Sequence, residues 1–187
     1  MTITWAGAPT DLGHLLVART ERGCCVVRLD DDPATGEQQL QAWADRTHPG
    51  AAVRRDDPAL ADVLAAATAR IAGDPAAPQV DLDLVGTDFQ RAVWDALTTI
   101  PFGAVRTYGQ VAAAIGAPRA VRAVGSACGA NPVALIVPCH RVVPAGGGIG
   151  NYGLGPDRKR MLLEREAAPF SAGSTCRPSG AAPAAPG

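Results

Sequence analysis

The run Leu135-Ile-Val-Pro-Cys139-His-Arg-Val-Val143 sets a cysteine, a histidine and an arginine among residues that otherwise suit the interior of a sheet. A buried cysteine alone is ordinary. Cys139 followed by His140 and Arg141 is a polar cluster whose burial costs free energy unless its groups are satisfied or used. A thiol with an unperturbed pKa of about 8.5 is a poor nucleophile at neutral pH, so a base or a positive charge must favour the thiolate. His140 is the base nearest in sequence. Neighbouring strand residues point to opposite faces, so contact between the two side chains requires a turn at Cys139 or a bridging water.

A third group must orient the imidazole. The amphipathic segment from Asp157 to Glu166 offers Glu164 and Glu166, and spacing does not choose between them. Either also reads as a solvated glutamate paired with Arg160 or Arg165. Gly148-Ile-Gly-Asn-Tyr-Gly153 matches the pattern G-x-G-x-x-G. A dinucleotide site needs a βαβ unit and a later acidic strand, and only 34 residues follow, so the glycines fit a loop whose backbone comes close to a ligand.

The elements that must carry this chemistry are legible in outline. Gly13 to Leu29, turning at Glu21-Arg-Gly23, reads as a hairpin, while Gln38–Trp43 and Ala59–Ile71 have helical composition. Together they predict a small α/β domain over 1–80, closed by a linker at 73–80 that begins with the breakers Gly73-Asp-Pro. A short strand over Val80–Val85 precedes a domain over 81–168. Thr87-x-x-Gln90 and Thr107-x-x-Gln110 are capping boxes, the first ahead of Phe89, Val93, Trp94, Leu97 and Ile100 at helical spacing.

Gly116 is placed as a helix stop, and Pro118 opens a further helix to Cys128, giving a helix-turn-helix candidate. In that helix Val121, Val124 and Cys128 should face the core. Arg119, Arg122 and Ser126 share another face, with Ala123 and Gly125 beside it. This surface is basic and nearly bare, suited to a groove floor with arginines meeting phosphates or replacing an extruded base. The plain alternative is a small-residue helix packed on a neighbour. Ala167 to Gly187 is rich in Ala, Pro, Gly and Ser and reads as a disordered tail, counted from 169 in the domain division, with Cys176 incidental.

With 47% hydrophobic residues, the 187-residue chain can bury a sizeable core. No apolar run suits a membrane helix, and the start lacks a signal-peptide pattern, so a cytoplasmic protein without membrane contact is expected. The five cysteines include no C-x-x-C pair, and neither a disulfide framework nor a metal site is indicated; Cys24 and Cys25 read as strand core. Net charge is −1, yet residues 1–80 hold 7 basic and 11 acidic side chains while 101–168 hold 8 and 3. The basic end is where a polyanion would dock.

Val137-Pro-Cys-His-Arg-Val142, preceded by Gly129-Ala-Asn-Pro132 and followed by Gly150-Asn-Tyr-Gly153, resembles the signature of the O6-alkylguanine-DNA alkyltransferases, the methylated-DNA–protein-cysteine methyltransferases. The likeness runs from about Leu12 to Ala167. It is close to the C-terminal half of the bacterial adaptive-response regulator, without that protein's four-cysteine zinc domain.

The resemblance implies a ribonuclease-H-like α/β domain followed by a mostly α, winged-helix-like catalytic domain whose helix-turn-helix binds the minor groove. It implies irreversible transfer of the alkyl group from O6-alkylguanine in double-stranded DNA, and less surely from O4-alkylthymine, to Cys139. His140 would activate the thiol through a water, Glu166 orient His140, and Asn131 fix the turn. Tyr108 would help extrude the nucleotide and protonate the departing guanine, and Arg122 would fill its place in the stack. Val142, Tyr152 and Gly153 would line the base pocket. No cofactor or metal is implied, and the protein is expected to be a monomer. The resulting thioether lacks an acidic leaving group, and no resolving cysteine is evident that could regenerate the thiol. Two other readings remain at this point: a non-catalytic protein that flags alkylated DNA, and a cysteine hydrolase built on Cys139, His140 and Glu166.

Overall fold

The computed structural model describes residues 1–169, so the chain from Phe170 onward, including Cys176 and nearly all of the tail read as disordered, lies outside the described residues. Three strands follow one another at the start, β1 (Thr2–Thr10), β2 (Gly13–Thr20) and β3 (Gly23–Asp30), joined by tight turns at Gly13 and Gly23. Helix α1 (Pro33–Thr47) leads to β4 (Ala52–Arg55), which pairs parallel with β1 and gives the sheet order β3-β2-β1-β4. The hairpin expected between Gly13 and Leu29 is β2–β3. Strands β1 and β4 went unforeseen, and α1 is longer than its predicted core because Asp32 caps it through Thr35 N.

The sheet is covered on both faces, which explains why β2 is apolar without alternation. Leu16 and Ala18 pack with Leu40 and Ala44 of α1. Leu15 and Val17 face a larger core shared with α2 (Ala61–Ile71), α3 (Asp88–Thr98), α4 (Tyr108–Ala114), α5 (Val121–Gly129) and α6 (Pro156–Arg165). This second core is continuous from the sheet to Trp94, Val124, Val133 and Leu162.

Two further contacts tie the halves at the β3 edge. Val27 N–H donates to Pro132 O at 2.8 Å, and Leu82 forms a single bridge with Cys24. The strand expected over Val80–Val85 is reduced to that one bridge, and farther along the same edge Val27 bridges Val133 instead.

Both capping boxes form. Thr87 and Gln90 exchange hydrogen bonds at the start of α3, and Thr107 and Gln110 do so at α4. Gly116, at φ +73°, stops α4 in the left-handed region that favours glycine.

Helix α5 departs from expectation. Pro118 occupies a turn closed by Ala120 N–H to Ala117 O at 2.8 Å, and the helix starts at Val121. A proline ring suits that turn position. The buried side of α5 is therefore Val124 and Ala127, and Val121 is 42% exposed rather than in the core. At the far end, Ala168 is buried against Leu163, so the fold continues past the expected start of the tail at Ala167. Among the described residues, no helix is long and apolar enough to cross a membrane.

Candidate active site

The run around Cys139 is not a strand. Leu135 takes a positive φ of 75°, and Cys139–Arg141 form a single 3-10 turn closed by Arg141 N–H to Pro138 O. Regular pairing resumes only at β6 (Val142–Val143), parallel to β5 (Arg106–Thr107). Asn131 anchors the turn. Its side-chain N–H groups donate to Val137 O at 2.9 Å and to Cys139 Sγ at 3.1 Å, while its Oδ1 accepts from Val133 N.

His140 is 2% exposed, and its Nε2 lies 2.9 Å from Glu166 Oε1. Glu166 also accepts from Arg141, whose Nε and Nη2 reach its two oxygens at 2.8 and 2.9 Å. Burial alone would raise the Glu166 carboxyl, but the hydrogen bonds from His140 and Arg141 outweigh it and bring the pKa to about 2. An ionised carboxylate only accepts, so Nε2 carries the proton. Burial also lowers the His140 pKa, against the pull of Glu166. The ring is thus neutral near pH 7, and its buried Nδ1, without a hydrogen-bond partner among the described residues, is the bare nitrogen of the pair. Glu164 is exposed on the other side of α6, so the fold distinguishes two glutamates that spacing left open.

Burial pushes the Cys139 thiol up, and the Asn131 hydrogen bond and the charge of Lys159 act against that rise. Lys159 was missed in the sequence. It is fully buried, donates from Nζ to Val142 O at 2.6 Å and to Asn151 O at 3.4 Å, and has its pKa lowered to about 8, chiefly by burial. The signal existed: Lys159 stands three and four residues before the core residues Leu162 and Leu163, on the apolar stripe of α6.

Cys139 sits where two cavities meet. A groove of about 650 Å³ is walled by Tyr108, Arg122, Gly125, Ser126, Tyr152 and Gly153, among others. A second cavity of about 340 Å³ opens on the other side, toward Arg28 of β3 and Trp43 of α1. Tyr108, at the first position of α4, lies against Gly125, where an added Cβ would stand 3.9 Å from its ring. The buried Tyr152 hydroxyl has its acidity weakened well beyond the usual range, first by burial and then by the nearby Cys139.

Arg119, Arg122 and Ala123 are exposed, and neither arginine forms an ion pair among the described residues. The structure thus brings together Cys139, His140, Glu166 and Asn131, and places Tyr108, Arg122, Gly125, Ser126, Tyr152 and Gly153 on the groove. Val142 departs from the expected pocket: its side chain is fully buried and does not line the groove, because β6 turns it inward and leaves its carbonyl to Lys159.

A buried cysteine next in the chain to a neutral imidazole held by its carboxylate, opening on a groove with an arginine-bearing helix, has the parts that a thiol nucleophile requires. Comparison with known proteins names the family. Residues 88–168 match the model of the 6-O-methylguanine DNA methyltransferase DNA-binding domain. The inducible methylated-DNA–protein-cysteine methyltransferase of Bacillus subtilis is 36% identical over 165 residues, covering 88% of this chain and 90% of the relative. The bifunctional transcriptional activator/DNA repair enzyme Ada of Escherichia coli is 42% identical over 167 residues, 89% of this chain but 46% of Ada.

A methylated-DNA–protein-cysteine methyltransferase of Mycobacterium tuberculosis is 58% identical over 98 residues, 52% of this chain and 59% of that protein. The match thus spans about half the length of these last two relatives. Among solved structures, Mycobacterium tuberculosis OGT in complex with DNA superposes with a TM-score of 0.74 at 40% identity, covering 89% of this chain and 95% of that one. The chain belongs to the methylated-DNA–protein-cysteine methyltransferase family.

Proposed function

We propose that this protein repairs DNA by moving the alkyl group of O6-alkylguanine to Cys139, irreversibly and once per molecule. The observation that carries the reading is the bare Nδ1 of a neutral His140 whose other nitrogen is bound to the ionised Glu166, one residue from a thiol that opens on the groove. Through a bridging water, Nδ1 takes the Cys139 proton. The thiolate attacks the O-alkyl carbon, a sulfur–carbon bond forms, the carbon–oxygen bond breaks, and its electrons leave with the guanine oxygen.

Tyr108 supplies the proton to the departing guanine. Lys159 and Asn131 hold the developing charge at sulfur, and Lys159 also ties the turn at Val142 to the loop at Asn151. Nucleophile, base and relay are all side chains, so the reaction as written needs no cofactor.

Base extrusion is required because the lesion's oxygen is inaccessible to an enzyme nucleophile inside a duplex. In this reading α4 and α5 are the helix-turn-helix on the minor groove. Arg122 fills the vacated stack, Arg119 meets phosphate, Ala123, Gly125 and Ser126 permit close approach, and Tyr152 and Gly153 border the flipped base. Support comes from Arg122 on a helix of small side chains and Arg119 in the turn before it, neither in an ion pair among the described residues. The same reading divides the chain into a ribonuclease-H-like part before 73–80 and a winged-helix-like part after it, acting as a monomer in the cytoplasm.

The test is intact-protein mass spectrometry after incubation with duplex DNA carrying O6-methylguanine, followed by peptide mapping. One methyl on the Cys139 peptide, with stoichiometric loss of the lesion, is the expected result. Binding without an adduct would instead identify a protein that only flags the lesion.

A further inference from the structure

Cys128 is a second thiol at the wall of this site. Among the described residues, Cys24 and Cys25 are sealed in the sheet at 1% and 0% exposure. Cys128 is half-buried and lines both the groove and the second cavity, as Cys139 does. Asn131 bonds to both residues: its backbone N–H donates to the main-chain O of Cys128 at 3.3 Å, and its side chain donates to Cys139 Sγ at 3.1 Å. Gly129 and Gly153 border both cavities as well, and a Cβ at Gly129 would meet nothing within 4 Å, so this wall is open. A solute as small as a peroxide has room at both thiols, since cavities of 650 and 340 Å³ far exceed the roughly 30 Å³ share of a water molecule.

We propose that Cys128 is a resolving thiol for Cys139, so that peroxide oxidation of the acceptor ends in a Cys128–Cys139 disulfide. Cys139 thiolate attacks one oxygen of a peroxide, giving a sulfenic acid and releasing water or an alcohol once protonated. The Cys128 thiol then attacks the sulfenic sulfur, a sulfur–sulfur bond forms, and a second water leaves. The peroxide supplies the two oxidising equivalents, and the two thiol protons leave in the water and alcohol, or in the two waters, that form.

The division of roles follows from the surroundings. Burial pushes both thiols up, Cys128 to about 12 with the charge of Cys139 adding to it, but the Cys139 sulfur accepts a hydrogen bond from Asn131 and has the base His140 next to it in the chain, so Cys139 is the thiol that peroxide attacks. Once Cys139 is a neutral sulfenic acid, that added charge vanishes, and Cys128 becomes easier to ionise at the moment it is needed. A single-use acceptor is most exposed to loss by over-oxidation, because sulfinic acid is not returned to thiol by ordinary reductants. The disulfide would hold Cys139 in a recoverable form. It cannot undo alkylation, since a thioether offers no such leaving group.

The experiment treats the full chain with hydrogen peroxide, blocks the remaining thiols and maps the peptides. A cross-linked Cys128–Cys139 pair is expected, with methyl transfer lost in step and restored by dithiothreitol. In Cys128→Ser the same treatment should leave sulfinic or sulfonic Cys139 and an activity that dithiothreitol does not restore. Sulfinic Cys139 in the unmutated chain, or Cys139 joined to any other thiol, would overturn the proposal. So would equal recovery in both proteins. The peptide map of the unmutated chain decides even where the variant folds poorly. It also decides where no methyl transfer is found, which keeps this inference separate from the repair reading.

Discussion

Replacing Glu166 with Gln removes one charge from a buried cluster of three groups, and the structure sets the size of the effect. The carboxylate accepts from His140 Nε2 and twice from Arg141, which is itself only 13% exposed. Its pKa falls from 4.5 to about 2, a difference worth about 3 kcal/mol of folding free energy. The folded pKa is depressed, so this stabilisation is present in full above pH 4.5 and is lost as pH falls through about 2. In Glu166→Gln the guanidinium is left half-paired, and the stability loss near pH 7 should be about 3–5 kcal/mol.

The catalytic effect is separate. A glutamine amide can donate to Nε2 and place the imidazole proton on Nδ1, the nitrogen needed as base. Loss of the correctly held base should slow transfer by about 10²- to 10⁴-fold. Single-turnover transfer from an O6-methylguanine duplex measures this below the variant's unfolding temperature, with urea denaturation reporting stability in parallel. Glu164→Gln is the control, because Glu164 is exposed and its side chain makes no hydrogen bond or ion pair among the described residues. A Glu166→Gln rate within threefold of the unmutated protein, or an equal loss in both variants, would refute the relay.

Three other outcomes follow from the same geometry. Arg122→Ala should slow transfer from duplex DNA more than transfer from the free base, and reduce the salt slope of DNA binding by about 1; an unchanged duplex rate rejects the extrusion role. Lys159→Met removes the buried cation beside Cys139, so the thiol should titrate at higher pH. The iodoacetamide labelling profile should move to higher pH and transfer at pH 7 should fall about tenfold, whereas an unmoved profile would reduce Lys159 to a purely structural tie. Thr107→Ala breaks the capping box that starts α4 immediately before Tyr108 and should cost about 1 kcal/mol, read from the urea midpoint.

The sequence by itself determined the features that depend on near neighbours. Thr87 with Gln90 and Thr107 with Gln110 satisfy helix-end N–H groups three residues away, so both helix starts were legible, as was the β2–β3 hairpin at its tight turn. Cys139 beside His140 in an apolar run announced reactive chemistry for the same reason. Tertiary structure decided what depends on distant partners.

Strands β1 and β4 form because each has an edge to pair with, which no local pattern reports. Val121 and Pro118 were misread because helical periodicity assumes a helix whose start is known. Glu166 differs from Glu164 only because Arg141 and His140 approach that one side of α6. Lys159 looked like one more charge in Arg158-Lys-Arg160 until packing buried it between Val142 and Asn151. A burial or charge effect is a property of everything brought within a few ångströms, and only the folded chain determines which groups those are.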